Sequence, residues 1–154
     1  MSAPPGGDDP RAPSRRAARL ADADAIARLA TQLGYPSSAA EVRVRLEALL
    51  GDEDHAVLVA ESAPGEVIAW AQGSVVRTVE SEPRAELTGL VVDESRRGTG
   101  VGALLVAAVS EWARAKGLAR LRVRTNVVRE RTHRFYLACG FVEAKRQLVF
   151  EKDL

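Results

Sequence analysis

ELTGLVVDESRRGTGVG, residues Glu86–Gly102, reads in three parts. An apolar run of strand character comes first, then a short polar turn, then a glycine-rich loop that opens a helix. The start of a helix is an anion site. Its first N–H groups have no partner within the helix, and the dipole favours negative charge there. Glycines let a phosphate approach the backbone without meeting Cβ atoms. Arg96 and Arg97 stand at the mouth as charge-assisted donors. The stretch is therefore expected to hold a pyrophosphate.

Outward from this stretch, apolar spacing sets the elements. Upstream, His55–Glu61 and Glu66–Val76 alternate as strands around the turn Ala63-Pro64-Gly65, an antiparallel hairpin. Before them lie two helices. One follows Asp22 as N-cap and carries Ile26, Leu29 and Leu33 on one face. The other is capped by Ser37 or Ser38, with Val42, Leu46, Leu49 and Leu50 apolar and Gly51 at its end. Arg15–Leu20 is a short strand candidate. Residues 1–14, MSAPPGGDDPRAPS, are too rich in Pro, Gly and Asp to offset their ordering entropy and read as a disordered tail. Downstream, a helix from Gly100 to Lys116 presents Val101, Leu104, Leu105, Ala108 and Trp112, and Gly117 closes it. A strand at Ala119–Thr125, a short helix at Glu130–Cys139 and two strands at Phe141–Ala144 and Arg146–Lys152 complete the chain. The order β-α-α-β-β-β-α-β-α-β-β predicts an α+β fold with one mixed sheet, in a single domain over residues 15–154.

Composition narrows the function classes. The 22 Lys and Arg balance 21 Asp and Glu, a net charge of +1, so no electrostatic case exists for nucleic acid as the main partner. No apolar run approaches the ~20 residues that span a bilayer, and the first residues carry no apolar signal-peptide core, so the expectation is a cytoplasmic protein without membrane partners. The single cysteine rules out an internal disulfide and a multi-thiolate zinc site, and no metal is expected.

The loop is not a Walker P-loop, because no Gly-Lys-Ser/Thr follows. Gly98-Thr99-Gly100-Val101-Gly102-Ala103 fits the loose dinucleotide pattern GxGxxA. However, DESRR separates the strand from the first glycine, and the next strand ends in Thr125-Asn126 instead of a ribose-binding acid. A tight strand-to-helix turn with no ligand is the other plain reading.

LVVDESRRGTGVGALL resembles the acetyl-CoA motif of the GNAT superfamily of N-acetyltransferases, Arg/Gln-x-x-Gly-x-Gly/Ala, with Arg97, Gly100 and Gly102 in place. RTHRFYLACGF, Arg131–Phe141, resembles the second motif of that family, an aromatic pair followed by Gly-Phe. The resemblance covers Arg15–Leu154. It implies a mostly antiparallel sheet with one splayed parallel pair, flanked by helices, and acetyl-CoA as cosubstrate. It places the pantetheine on the backbone of Leu90, Val91 and Val92, where an N–H polarises the thioester. It places the pyrophosphate on Arg97, Gly98, Thr99, Gly100, Val101, Gly102 and Ala103. Asn126 is similar to an asparagine that contacts the cofactor arm, with a turn-forming role as the alternative.

For catalysis, the resemblance gives Tyr136 the role of donor to the CoA sulfur, against simple packing beside Phe135. It gives Glu86 the role of base toward the acceptor amine, against an ion pair with Arg84. Alternation puts Glu86, Thr88 and Leu90 on one face. His55 as base and Cys139 as nucleophile are weaker readings, and His133 is expected to be solvated. Direct attack by the amine in a ternary complex follows. Asp52, Glu53, Asp54, Glu80 and Glu82 form an acidic rim suited to a cationic amine, or are merely solvated. The chain resembles small bacterial members that act on aminoglycoside-type or other small amines. Acetylation of protein lysines or N-termini, and acyl-CoA sensing without turnover, stay open. Members of the family are often homodimers, and nothing in this sequence specifies an interface.

Overall fold

The computed structural model describes residues 12–154. Most of the expected N-terminal tail, residues 1–11, lies outside the described residues. Ser14, assigned to that tail, instead opens the first strand. The chain forms two compact units, the first reaching to Arg124 and the second Thr125–Leu154.

The first unit is built on a five-stranded sheet in the order β1-β2-β3-β4-β5, with β1 Ser14–Ala17, β2 His55–Ala63, β3 Glu66–Val76, β4 Arg84–Val92 and β5 Leu121–Val123. The pairs from β1 to β4 are antiparallel and β4–β5 is parallel. The hairpin β2–β3 turns at Gly65, whose φ of 83° is the left-handed geometry that glycine adopts without strain.

One face of the sheet is covered by α1 (Ala23–Gln32) and α2 (Ala39–Leu50). Ile26, Leu29, Val42 and Leu46 from these helices join Val57, Val59, Val67 and Val91 from the strands in one buried cluster. Ser38 caps α2 in a reciprocal box with Glu41. Asp22 precedes α1 but does not cap it. Its carboxylate accepts from the Arg19 amide at 2.7 Å and from both terminal nitrogens of Arg16 at 2.8 and 2.9 Å. Glu61 accepts from the same guanidinium at 2.8 Å. The other face is covered by α3 (Val101–Ala115), which buries Leu105 and Val109 completely. Gly73 admits this helix: a Cβ there would lie 2.9 Å from the Trp112 ring and 3.0 Å from Val109.

The second unit contains α4 (Glu130–Ala138), followed by Gly140 at φ 91°. The strands expected at Phe141–Ala144 and Arg146–Lys152 do not form. Val142, Leu148, Val149 and Phe150 are each more than four-fifths exposed. Alternation makes a strand only where a neighbouring edge takes its N–H and C=O groups, and among the described residues nothing forms a ladder with residues 141–154. For the same reason β5 is three residues long and not the expected seven: only Leu121–Val123 find parallel partners, at Ala85–Leu87.

Candidate active site

β4 is the axis of the candidate site. Its pairing with β5 stops at Leu87, while its pairing with β3 continues to Val92. From Thr88 to Val92 the edge turned away from β3 therefore has no strand partner in the sheet. Leu90 and Val92 are half-buried, and Val91 is buried in the cluster under α1 and α2. What this segment offers a ligand is mainly its backbone, as an added strand would use it. Gln72 pairs with Gly89 and Gly73 with Leu87, so Thr88 is an extra residue, a β-bulge. Gly89 is required by contact: a Cβ there would lie 2.6 Å from the Trp70 ring.

After β4, Asp93 turns the chain into a 3-10 turn at Glu94–Arg96. Its carboxylate accepts from the Ser95 amide and hydroxyl at 3.0 and 2.7 Å and from Arg28 on α1 at 2.7 Å. The Ser95 hydroxyl and the Arg28 guanidinium hold this carboxyl well below the usual carboxylate range. Gln32, also on α1, accepts from the Glu94 amide at 3.1 Å. The helix α1 thus braces the entrance to the glycine loop.

Gly98 and Gly100 have φ of 76° and 89°, and Gly100 is the residue before α3. The first bond inside α3 runs from the Leu104 amide to the Gly100 carbonyl, at 3.0 Å. The amides of Val101, Gly102 and Ala103 thus have no partner within the helix. No side chain caps them, and the first turn carries no acid. Val101 and Gly102 are buried, Ala103 and Thr99 are exposed, and the Thr99 hydroxyl donates to the Arg96 carbonyl. Arg97 is exposed and, among the described residues, bonds to no other side chain. Arg96, the other arginine at the mouth, lies 3.8 Å from Glu66. An uncapped, acid-free helix start behind two left-handed glycines fits a pyrophosphate.

Glu86, at the other end of β4, is half-buried. Its Oε1 accepts from Arg84 at 3.2 Å and from Arg124 at 3.3 Å, so the ion-pair reading is realised. Among the described residues no side chain bonds Oε2. Register places Ser74 of β3 directly opposite Glu86, and His55 of β2 opposite Ser74. The His55 Nδ1 lies 2.9 Å from the Ser74 hydroxyl, which lies 3.4 Å from the Thr88 hydroxyl. Thr88 stands on the Glu86 face as alternation expects, but Leu90 does not: the bulge at Thr88 reverses the alternation, and Leu90 pairs with Ala71, three residues along β3 from the Ser74 that faces Glu86. The link through Ser74 depends on strand register, for which the sequence carries no signal.

In the second unit, Tyr136 is half-buried on α4, edge-on to Phe135 at 5.1 Å and to Phe141 at 5.4 Å. The packing reading is therefore realised too. Burial, with the Cys139 thiol nearby, pushes the phenol up to about 12, so it stays protonated and can donate. Burial also raises the Cys139 thiol, which disfavours the thiolate a nucleophile needs. The Asn126 side-chain oxygen accepts from the Val128 amide at 3.1 Å, a turn role. His133 is not free in solvent but lies 2.9 Å from the Asn126 carbonyl. Among the described residues no three His, Cys, Asp or Glu side chains gather as a metal site.

The acetyltransferase (GNAT) family model matches residues 22–141. The chain belongs to the GNAT acetyltransferase family. An aminoglycoside N(6')-acetyltransferase type 1 of Stenotrophomonas maltophilia is 35% identical over 147 residues, covering 93% of this chain and 95% of the relative. The Serratia marcescens protein of the same name is 30% identical, covering 85% and 92%. Among solved structures, aminoglycoside N-acetyltransferase AAC(6')-Iy in complex with CoA superposes with a TM-score of 0.82 at 25% identity, over 93% of this chain and 96% of that one. This GNAT chain is thus an acetyl-CoA-dependent N-acetyltransferase, on the mixed, mostly antiparallel sheet with one parallel pair that the family resemblance implied. No helix among the described residues is long and apolar enough to cross a membrane.

Proposed function

We propose that the enzyme acetylates a primary amine on a small cationic acceptor of aminoglycoside type, by direct attack of the amine on acetyl-CoA in a ternary complex. The observation that carries this reading is the layout of β4. Glu86 stands near one end, the unpaired backbone edge of Thr88–Val92 follows, and the uncapped start of α3 lies beyond. The relatives named for aminoglycosides favour this acceptor class over a protein amine or a sensor without turnover.

In this reading acetyl-CoA supplies the thioester carbonyl and a thiolate leaving group. The amides from Gly98 to Ala103 and Arg97 bind the pyrophosphate, and the Asn126 amide nitrogen contacts the pantetheine arm. The backbone of Leu90–Val92 aligns that arm and donates an N–H to the developing oxyanion. Glu86 receives the proton of the acceptor amine through Oε2. Tyr136 is assigned the leaving thiolate from its motif and from a phenol that keeps its proton at neutral pH. Acetyl-CoA as cosubstrate suits a cytoplasmic enzyme.

The test is thiol release from acetyl-CoA across aminoglycosides, polyamines, lysine peptides and a no-amine control. Turnover with kcat/KM highest for aminoglycosides is expected. Preference for peptides would overturn the acceptor assignment. Tight CoA binding without release from any amine would overturn catalysis.

A further inference from the structure

Amide formation from an ammonium and a thioester releases two protons from nitrogen and returns one to sulfur. One proton per turnover must leave the site. Glu86 carries two guanidinium contacts on one oxygen, and proton traffic through it needs an outlet.

A row of exchangeable groups crosses the sheet on the Glu86 face. Thr88, the bulge residue of β4, is exposed. Ser74 is only 7% exposed, a buried hydroxyl that also accepts from the Gln72 side-chain amide nitrogen at 3.5 Å. The side chain of His55 is 28% exposed, and its Nε2 lies 3.6 Å from the 53% exposed Asp52. The row is thus buried in the middle and open at both ends. A buried hydroxyl is costly unless bonded, but one partner satisfies it. Here Ser74 has a partner on each side, at 2.9 and 3.4 Å, and each is a group that both gives and takes protons. Asp52 and Asp54 are the acids at the outer end, with Asp54 paired to Arg77.

We propose that Thr88, Ser74 and His55 form a relay that carries the proton released at the acceptor amine across the sheet to solvent beside Asp52. The relay rests on N-acetyltransfer occurring on this face. At rest the Thr88 hydroxyl donates to the Gln72 carbonyl at 3.3 Å; as Thr88 Oγ1 takes the incoming proton, its own hydroxyl proton turns from that carbonyl to Ser74 Oγ, 3.4 Å away. The Ser74 proton passes to His55 Nδ1, and the imidazolium sheds its Nε2 proton toward Asp52 and water. The imidazole is left with its proton on Nδ1, so rotation of the two hydroxyls and return of the ring to its Nε2–H tautomer by proton exchange with water reset the row. No oxidation state changes and no other reactant is needed.

The experiment compares His55→Ala, Ser74→Ala and Thr88→Val with the unaltered enzyme, with and without added imidazole. All three variants should lose about 10- to 100-fold in kcat, the low end for a positioned proton-transfer group, with KM for acetyl-CoA unchanged. Imidazole should restore His55→Ala, whose missing ring it replaces, and should not restore the other two, whose break lies upstream. Thr88→Val, at an exposed position, keeps the test decisive even where the buried variants fold poorly. Unchanged kcat in Thr88→Val, or equal stimulation of all three variants by imidazole, would overturn the relay. Absence of turnover by the unaltered enzyme with any amine would overturn N-acetyltransfer and the relay together. Turnover with full activity in His55→Ala would overturn the relay alone.

Discussion

Gly100→Asp isolates what the start of α3 does. Gly100 has φ 89° and ψ −1°, and no atom lies within 4 Å of a Cβ added there. A side chain at this position meets no obstacle, so steric exclusion within the protein is not the effect. Holding an L-residue in left-handed geometry costs about 1–2 kcal/mol, which lowers stability in the free and bound states alike. The added carboxylate is different. It can accept from the free amides of Gly102 and Ala103, and so occupies the donors a phosphate would use. It also faces the pyrophosphate as a like charge. One negative charge about 5 Å from two others is opposed by roughly 2–7 kcal/mol as the effective dielectric falls from 80 to 20. At 1.4 kcal/mol per decade, that is a loss of about 30-fold at the weak end and of measurable binding at the strong end. Calorimetric titration with CoA, alongside Gly100→Ala as a control that shares the backbone cost, separates the two effects. The alanine variant should melt earlier yet bind within a few-fold. The aspartate deficit should shrink with salt, because exposed charges are screened over about 10 Å at 0.1 M. Wild-type affinity in Gly100→Asp, or equal loss in both variants, would refute the placement of the pyrophosphate.

Tyr136→Phe should lower kcat by about 10- to 1000-fold with CoA affinity retained. Because the phenol is raised to about 12, the rate of the unaltered enzyme should show no Tyr136 titration between pH 6 and 9; an ionisation assigned to it there by Tyr136→Phe would contradict this. Asp93→Asn, which weakens the acceptor holding Ser95 and Arg28, should raise KM for acetyl-CoA several-fold and leave kcat nearly unchanged, as steady-state kinetics would read. Gly89→Ala forces a Cβ to within 2.6 Å of the Trp70 ring and should destabilise by about 1–3 kcal/mol in a denaturant melt; adding Trp70→Leu should recover part of it. Arg16 bonds Asp22 and Glu61 and holds both carboxyls below their usual range. Their contribution to stability is complete above the unfolded carboxylate values near 4 and is lost as pH falls through the lower folded values. Arg16→Met should therefore cost about 3–5 kcal/mol at neutral pH, and much less in acid, by melts at both.

Local signals were read well where local chemistry decides the structure. Glu66–Val76 is the strand its alternation describes, Ser38, one of the two serines expected to cap α2, does so, and the loop from Arg97 to Ala103 has its left-handed glycines at Gly98 and Gly100. What failed was what depends on a distant partner. Phe141–Ala144 and Arg146–Lys152 read as strands too, yet among the described residues no edge pairs with them. Asp22 looks like a helix cap, but Arg16 and Arg19 draw its carboxylate away from the helix. Glu86 was legible as a polar residue on a central strand. That two arginines from β4 and the end of β5 meet on one of its oxygens was not, because that meeting is made by the parallel register.

The same dependence explains how a loop of small residues holds a geometry. Glycines at positive φ give the loop its shape and also make it the part of the chain with most to lose in entropy on ordering. The fixed points lie on either side. Downstream, Val101 and Leu105 are buried beneath the sheet and anchor the first turns of α3. Upstream, the Asp93 amide donates to the Ile68 carbonyl at 2.8 Å, and its carboxylate gathers Arg28 and Ser95. Arg28 also donates to the Val67 carbonyl at 3.2 Å, so it ties α1, β3 and the turn after β4 together. The apolar face of α1 carries Ile26 and Leu29 into the core, and its flank carries Arg28 and Gln32 to the loop entrance. A substitution on the apolar face that rotates α1 is then felt at the anion site without touching it. Substitutions such as Ile26→Ala should therefore weaken CoA binding in calorimetric titration although Ile26 lies in the core and not in the loop; unchanged CoA affinity in a variant that still folds would contradict the bracing role of α1.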